Sequence, residues 1–445
     1  MKKVLTIVLG LAFAGLNAQQ KWSLRECVDY AVKHNLQVIQ NEYSKQIQDS
    51  NLKISQKNYL PSVSASMGNN VSFGQASLGT TSIRNDQFSN SANIGADILI
   101  YNNGRLEKTI RKSQFDVEAS QYDIENIKND ISLQIAQQYL TTLLNKEIVK
   151  ISQSATENAK KQYDRAKITT EVGTTAQTIM AEAEAAWARE KQNLKTAEIN
   201  VGRSLFALAQ LLQLKDYKDF DVEDVEVEDK LTPQLISVDD VLNIAYESQP
   251  QIKAAQIRIK SAEAQTEVTK TSFWPTLTAS VGVGTFYRNL LNKRYDEFGN
   301  AAKEPGFFQQ YKDNFGQQGG VSLNIPIFNK GITKLQVEQS KINENIAKTT
   351  LDQQKQTLRQ SVQQAQFDAD ANYEIYLAAE EAAKSTKLAM DFADKSYTAG
   401  RTTIYDLNIA RNNYANAQGS VEQAKFNYLF SLKLLRFYSG IPLTL

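Results

Sequence analysis

Residues 51–73 read NLKISQKNYLPSVSASMGNNVSF, and the pattern changes period in the middle. Up to Tyr59-Leu60 the run is polar and helix-forming. Beyond Pro61, the residues Val63, Ala65, Met67, Val71 and Phe73 fall on every second position, with small polar residues between them. Proline lacks a backbone donor and pushes the residue before it out of the α region, so a switch from period 3.6 to period 2 at a proline predicts helix into strand. The same switch recurs at Phe273-Trp274-Pro275, after which Leu277, Ala279, Val281 and Val283 alternate with Thr276, Thr278, Ser280, Gly282 and Gly284. Two such junctions, marked by Pro61 and Pro275, predict a duplicated unit that crosses between two environments; the plainer reading of each proline is an ordinary helix stop.

Over the wider chain, an offset of 214 superposes Ser23 on Ser237, Ala31 on Ala245, Pro61 on Pro275 and Gly68 on Gly282. A fixed offset over so many positions predicts an internal repeat. Ser23 with Glu26 is a capping-box pattern that opens a short helix to about Lys33. Each half then carries a strand pair, about 62–78 with 90–101 and about 276–290 with 320–328, joined by polar loops at 79–88 and 292–319. Pro326 falls late in the last strand.

Tyr101-Asn102-Asn103-Gly104 and Phe328-Asn329-Lys330-Gly331 are turns that each start a long polar helix. In the first, Ile110, Val117, Ile124, Ile127, Ile131, Ile135 and Tyr139 keep helical spacing, and some 66 residues at about 1.5 Å each reach roughly 100 Å. Each rod ends at a glycine, Gly173 or Gly400, and a second helix returns. Its seam alternates small and large residues, with Ala183, Trp187, Glu190, Leu194, Ala197 and Val201 in one copy and Ala410, Tyr414, Ala417, Val421, Ala424 and Tyr428 in the other. That spacing predicts antiparallel coiled coil. The expected organisation is a signal peptide (1–18), a first repeat (19–213), an acidic, solvated linker (214–235) and a second repeat (236–445).

Lys2-Lys3, the apolar run 4–16 and Asn17-Ala18 have the layout of a secretory signal peptide, with a mature chain starting near Gln19. Removing Lys2 and Lys3 leaves 48 basic residues against 49 acidic ones, a net charge of −1 that offers no general attraction for nucleic acid. The 445 residues include one cysteine and one histidine, which excludes an internal disulfide framework and leaves little for a zinc site. Cys27 reads as a packed thiol and His34 as a surface residue. The chain has no Gly-rich phosphate loop, His-x-x-x-His pair or Gly-x-Ser-x-Gly, so neither an enzyme nor a cofactor is expected.

Strands with one apolar and one polar face, about ten residues long, suit a transmembrane barrel or half of a soluble sandwich. Four strands cannot close a barrel, and open sheet edges are not tolerated in hydrocarbon. In a membrane, therefore, several chains must share one barrel. The alternative is a secreted coiled-coil scaffold with a soluble β-sandwich.

The order of elements resembles the TolC-like outer-membrane efflux family. The local matches are Tyr397-Thr398-Ala399-Gly400 followed by Thr403-Ile404-Tyr405-Asp406-Leu407, and Ala424-Lys425-Phe426-Asn427-Tyr428-Leu429 running to Gly440. The resemblance implies a mainly α fold with a small β part. In it a homotrimer pools four strands per chain into a twelve-stranded barrel in outer-membrane lipid and continues as a periplasmic α-barrel. It also implies a periplasmic adaptor (membrane fusion) protein and an inner-membrane pump as partners, and passive export of small molecules or polypeptides. The family's closed tip is held by a Tyr, an Arg, a Thr and Asp residues. Tyr397, Asp406 and Thr178 match, and Arg401 stands one place early. Ile179 and Ile409 replace two of the Asp residues, so the implied acidic ring is thinner. The plainer readings are a helix N-terminal Asp stabilised by the macrodipole for Asp406, an exposed turn residue for Arg401, and turn formers for Gly173 and Gly400.

Overall fold

The computed structural model describes residues 21–78, 81–225, 231–232, 237–292 and 304–441. The expected signal peptide lies outside them, as do parts of the acidic linker and of the 292–319 loop.

The elements come in this order. A two-residue strand β1 (Lys21–Trp22) leads into α1 (Leu24–His34) and α2 (Leu36–Lys57). Strands β2 (Ser62–Ser72), β3 (Gln75–Leu78), β4 (Thr81–Arg84) and β5 (Gln87–Tyr101) precede the 67-residue α3 (Arg105–Glu171) and the 35-residue α4 (Gln177–Leu211). After β6 (Asp221–Val222) the layout returns as α5 (Val238–Ser248), α6 (Pro250–Lys270) and β7 (Thr276–Leu290). Then come α7 (Phe307–Asp313), β8 (Gly316–Asn324), a 67-residue α8 (Ile332–Thr398) and a 35-residue α9 (Ile404–Tyr438). The chain is mainly helical with a small sheet part.

Two compact units form, each from pieces distant in sequence. The first comprises Met1–Tyr43, Tyr122–Lys253 and Asp352–Leu445, and its described part is almost wholly helical. Helix α3 has low amphipathicity over its full length, and what buries it is a local seam. Ile124, Ile131, Ile135 and Tyr139 of α3 are buried among Leu24, Cys27 and Ala31 of α1 and Leu208 of α4. Each fully buried Leu or Ile of this kind contributes roughly 1.5–3 kcal/mol relative to exposure. In α4, Ala183 and Ala197 are buried while the positions on either side of each face solvent, and Ser204, Leu208 and Ala209 are buried further along. In α9 Ile404 and Leu407 are buried near the start, and Ala424, Lys425, Phe426, Tyr428, Ser431, Leu432 and Leu435 toward the end, where the buried stripe broadens.

The acidic linker departs from expectation where it is described. Rather than a solvated connector, residues 220–224 are docked: Phe220 and Val222 are buried, and β6 pairs in parallel with β1. Lys146 of α3 lies 2.8 Å from Asp221 and 3.0 Å from Asp224, and Lys21 pairs with Asp224. Tyr139 donates its hydroxyl to the Trp22 carbonyl at 3.1 Å. The acidic residues are there to meet two lysines, and the apolar residues between them fill the helix groove.

The second unit comprises Ser44–Gln121 and Ala254–Leu351. Its helical segments meet through small polar contacts, Ser55 to Ser113 at 3.1 Å and Thr269 to Ser340 at 3.1 Å. Its four-stranded antiparallel sheet has the order β2-β5-β7-β8. Two strand expectations need correction. The last strand is Gly316–Asn324 rather than 320–328, because Pro326 cannot donate to a ladder and the chain leaves the sheet at 325–328. The first strand ends at Ser72, and residues 75–84 form a separate hairpin, β3 with β4; the Asp86 carboxylate accepts the Gly74 N–H at 3.0 Å at the break. In β5 a bulge between Leu99 and Tyr101 sets Tyr101, not Ile100, opposite Leu277. The 292–319 loop also contains α7, a helix that its polar composition conceals.

Candidate functional site

Two regions bear on function, the sheet surface and the turns that end the long helices. The register assigns every sheet side chain to a face, because directly paired residues share one. Val63, Ala96 and Val281 fall in one row, and Ala65, Ile94 and Val283 in the next. The face that holds these residues carries no charged side chain in any of the four strands, while the opposite face carries Asp97 and Arg288 among mostly small polar residues and glycines, with Leu99, Phe286 and Leu290 as its large apolar ones. Ser62 donates its hydroxyl to Asp97 at 2.7 Å.

The apolar face is uncovered over most of its length: Val63 is 70% exposed, Met67 68% and Val321 68%. Valines and a methionine left bare on one face of a sheet imply a solvent other than water. Aromatic residues mark one end of the face, with Tyr101, Phe273 and Trp274 all about half exposed. Pro61 and Pro275 each stand directly before the first strand residue, Ser62 and Thr276, and Trp274 is extended at ψ 155° as a following proline requires. No helix among the described residues is long and apolar enough to cross a membrane.

The turns that end α3 and α8 are built alike. Gly173 has φ +80° and Gly400 φ +71°, conformations open to glycine and costly for other residues. The Gly173 N–H donates to the Thr170 carbonyl and the Thr174 N–H to Thr169, each at 2.9 Å. Gly400 to Tyr397 and Arg401 to Ser396 repeat this at the same lengths. Both turns are therefore Schellman caps, which satisfy the last carbonyls of a helix.

The two turns lead into helix starts of different chemistry. Thr403 caps α9 and forms a capping box with Asp406, whose carboxylate also accepts the Thr402 hydroxyl at 3.0 Å. These hydrogen bonds, from Thr403 first and then Thr402, hold the Asp406 carboxyl below its ordinary range. At the start of α4 the equivalent places are Ala176 and Ile179, and there is no side-chain cap. Thr178 is exposed in the first turn of α4, Arg401 is exposed, and Tyr397 is half-buried near the end of α8. Within this chain, then, Tyr397, Arg401 and Asp406 share one turn and Thr178 stands beside the other.

Sequence reasoning missed Arg411. Its guanidinium Nη2 donates to Asp394 at 2.8 Å, tying α9 to α8 a few turns back from Gly400. Its Nη1 is buried with no partner among the described residues, beside a cavity of about 240 Å³ lined by Glu182, Arg189, Tyr405 and Asn408. Opposite charges on either side of the Gly400 turn were the available signal. On the α3–α4 side Tyr163 stacks on Trp187 at 5.2 Å, with the Lys191 ammonium 4.2 Å from the Trp187 ring centre. Among the described residues no group of His, Cys, Asp or Glu could hold a metal ion.

The chain is similar to outer membrane protein TolC of Escherichia coli (strain K12), 22% identical over 97% of this chain and 85% of that protein. It is similar also to outer membrane efflux protein BepC of Brucella suis biovar 1, 21% identical over 89% of this chain and 80% of the relative. In fold it resembles the CmeC outer membrane channel of Campylobacter jejuni, with a TM-score of 0.72 over 94% of this chain and 85% of that one at 20% identity. The profile of the family described as outer membrane efflux protein matches residues 28–213 and 241–440. That match takes in both sets of long helices and all four strands of the sheet, and the chain belongs to the outer membrane efflux protein family.

Proposed function

We propose that three copies of this chain pool their four-stranded sheets into one twelve-stranded barrel in the outer membrane, and that the α3–α4 and α8–α9 hairpins continue it as a hollow periplasmic conduit. The observation that carries this reading is the pair of open sheet edges. β2 is paired on one side only, by β5, and β8 on one side only, by β7. Beside an uncharged, uncovered apolar face, such edges are compatible with hydrocarbon only when other copies close the ring. A soluble sandwich would need a second layer over Val63, Met67 and Val321, and the described residues supply none there.

The protein is an outer-membrane exit duct for efflux. It does no chemistry of its own: an inner-membrane pump, reached through a periplasmic adaptor (membrane fusion) protein, supplies the energy. The cargo, small molecules or polypeptides, passes along the polar face. Tyr397, Arg401, Asp406 and Thr178 are the proposed tip residues, with Gly173 and Gly400 forming the turns and Pro61 and Pro275 the strand–helix joints. A proposed duplication, 19–213 and 236–445 about the 214–235 linker, is supported by the recurrence of 67- and 35-residue helices. Left-handed residues recur too, at Asn103 and Lys330, Gly104 and Gly331, and Gln213 and Gly440.

The test is migration of unboiled and boiled protein on a denaturing gel, with native mass spectrometry in detergent. A heat-sensitive trimer is expected. A monomer that stays soluble without detergent would overturn the proposal.

A further inference from the structure

The seven-residue α7 sits on the wrong side of the sheet for an ordinary loop over a pore. Its contacts are with the apolar face at the end of the sheet away from Pro61 and Pro275. Tyr287, Phe307 and Tyr311 form a run of rings, with centroids 4.9 Å and then 4.3 Å apart, and Phe88 lies 6.2 Å beyond Tyr287. Thr285 donates its hydroxyl to the Tyr311 carbonyl at 2.7 Å, and the Tyr311 hydroxyl bonds Asn90. Asn90, Thr285 and Tyr287 all belong to the same face as Ile94 and Val283.

The segment also completes a ladder. β8 begins at Gly316, opposite Gly284, while β7 continues to Leu290. Gln310 accepts the Arg288 N–H at 3.0 Å and donates to the Arg288 carbonyl at 2.9 Å, and Asn314 donates to the Phe286 carbonyl at 2.8 Å. Backbone groups that β8 does not reach are thus satisfied by side chains of α7 and the residue after it. Such care is needed where water is scarce and is superfluous in bulk solvent. Aromatic surface is left bare here: Phe308 of α7 is 85% exposed, and Phe315, just before β8, is 55% exposed beside Met67, Ile94 and Val283 of the apolar face.

We propose that α7 is an interfacial anchor, its exposed ring Phe308 seated, with Phe315 beyond its end, at the boundary between headgroups and acyl chains of the outer-leaflet lipid. The occupant is set by continuity with the uncharged apolar face, so the inference rests on the outer-membrane reading. Trp274 and Tyr101 mark the opposite rim. From Trp274 to Tyr287 the strand climbs about 43 Å at about 3.3 Å per residue, which a barrel tilt near 40° reduces to roughly 33 Å. A hydrocarbon core is about 30 Å thick, so the two aromatic levels fall at its two boundaries, where amphipathic and aromatic rings concentrate.

Depth-resolved quenching tests the proposal on the full-length protein in phosphatidylcholine vesicles. Cys27 is 0% exposed and burial pushes its thiol up to about 12, so bimane attaches to an introduced cysteine alone. In Phe308→Cys the probe should be quenched several-fold more by lipid carrying a nitroxide near the headgroup than by lipid carrying it near the chain end, and little by aqueous iodide. In the control Val281→Cys the order should reverse. A Phe308 probe quenched by iodide and by neither lipid overturns the anchor, provided the Val281 probe still sees the deep nitroxide. Stronger quenching of the Phe308 probe by the deep nitroxide also overturns it, because α7 would then lie within the hydrocarbon. If the Val281 probe also escapes both lipids, the membrane reading itself falls.

Discussion

The Asp406 carboxylate is turned back onto Thr403, accepting its hydroxyl at 2.6 Å and its backbone N–H at 3.3 Å, while the Thr403 hydroxyl oxygen accepts the Asp406 N–H at 3.2 Å. One carboxylate therefore has two candidate employments, starting α9 and presenting charge to permeating ions, and mutation separates them. Thr403→Ala keeps the charge and removes the cap, and should lower stability by about 1 kcal/mol with ion preference unchanged. Asp406→Ala should lower the cation preference of single channels as well. Equal selectivity in Asp406→Ala and wild type would leave Asp406 as a cap alone. Because hydrogen bonding depresses the Asp406 pKa, the stabilisation is complete above the ordinary carboxylate value of about 4 and is lost as pH falls through the lower folded-state value.

Gly400→Ala and Gly173→Ala each place a side chain at positive φ, although no heavy atom stands within 4 Å of either added carbon. The penalty is conformational, about 1 kcal/mol each. Asparagine, which tolerates the left-handed region, should cost less than alanine at both positions. Denaturant titration of the detergent-solubilised protein measures this; alanine and asparagine variants of equal stability would contradict the left-handed assignment.

Arg411 and Asp394 bind the α8–α9 hairpin across its seam with partial burial, side chains 22% and 48% exposed. A double-mutant cycle of Arg411→Ala and Asp394→Ala should return a coupling of roughly 0.5–1 kcal/mol. Hydrogen exchange near residues 394–411 should quicken in both single variants. A coupling indistinguishable from zero would reduce the pair to a surface contact.

The clasp of Lys21 and Lys146 on Asp221 and Asp224 predicts a pH response at the linker. The Lys21 hydrogen bond holds the Asp224 carboxyl below its ordinary range, aided by Lys146, and Asp224 in turn raises Lys21. A depressed carboxylate contributes fully above about pH 4 and loses its contribution as pH falls through its folded-state value; a raised lysine contributes fully below about pH 10 and loses it above. Amide exchange of residues 220–224, corrected for intrinsic rates, should therefore stay slow through neutral pH and accelerate below about pH 4. Exchange that is flat across that range would mean β6 is held by Phe220 and Val222 alone. Lys146→Met should accelerate it at neutral pH.

Much of this protein is set by local chemistry and can be read without coordinates. The period change at Pro61 and Pro275 depends on the missing proline donor, the ends of the long helices on glycines at positive φ, and the start of α9 on Thr403 and Asp406. Each acts within about five residues, so linear spacing contains the whole cause. The sorting of the strands into an uncharged face and a polar face belongs here as well, since side chains alternate whatever the strand is paired with.

Other features depend on partners remote in sequence, and they are legible only in the folded chain. The acidic run at 219–224 reads as solvated until Lys21 and Lys146 arrive from some 200 and 75 positions away. Tyr101 changes face because β7 imposes a bulge on β5. The helix α7 is hidden in a polar loop because its stability comes from Tyr287, Thr285 and the unpaired end of β7 rather than from its own seven residues, too few to hold a helix in isolation. For Arg411 the sequence offered only opposite charges on either side of the Gly400 turn; which of them meet, the 2.8 Å approach to Asp394, is decided by the fold. Short-range steric and hydrogen-bonding rules can be read along a chain; burial and charge pairing between distant segments are properties of the folded arrangement.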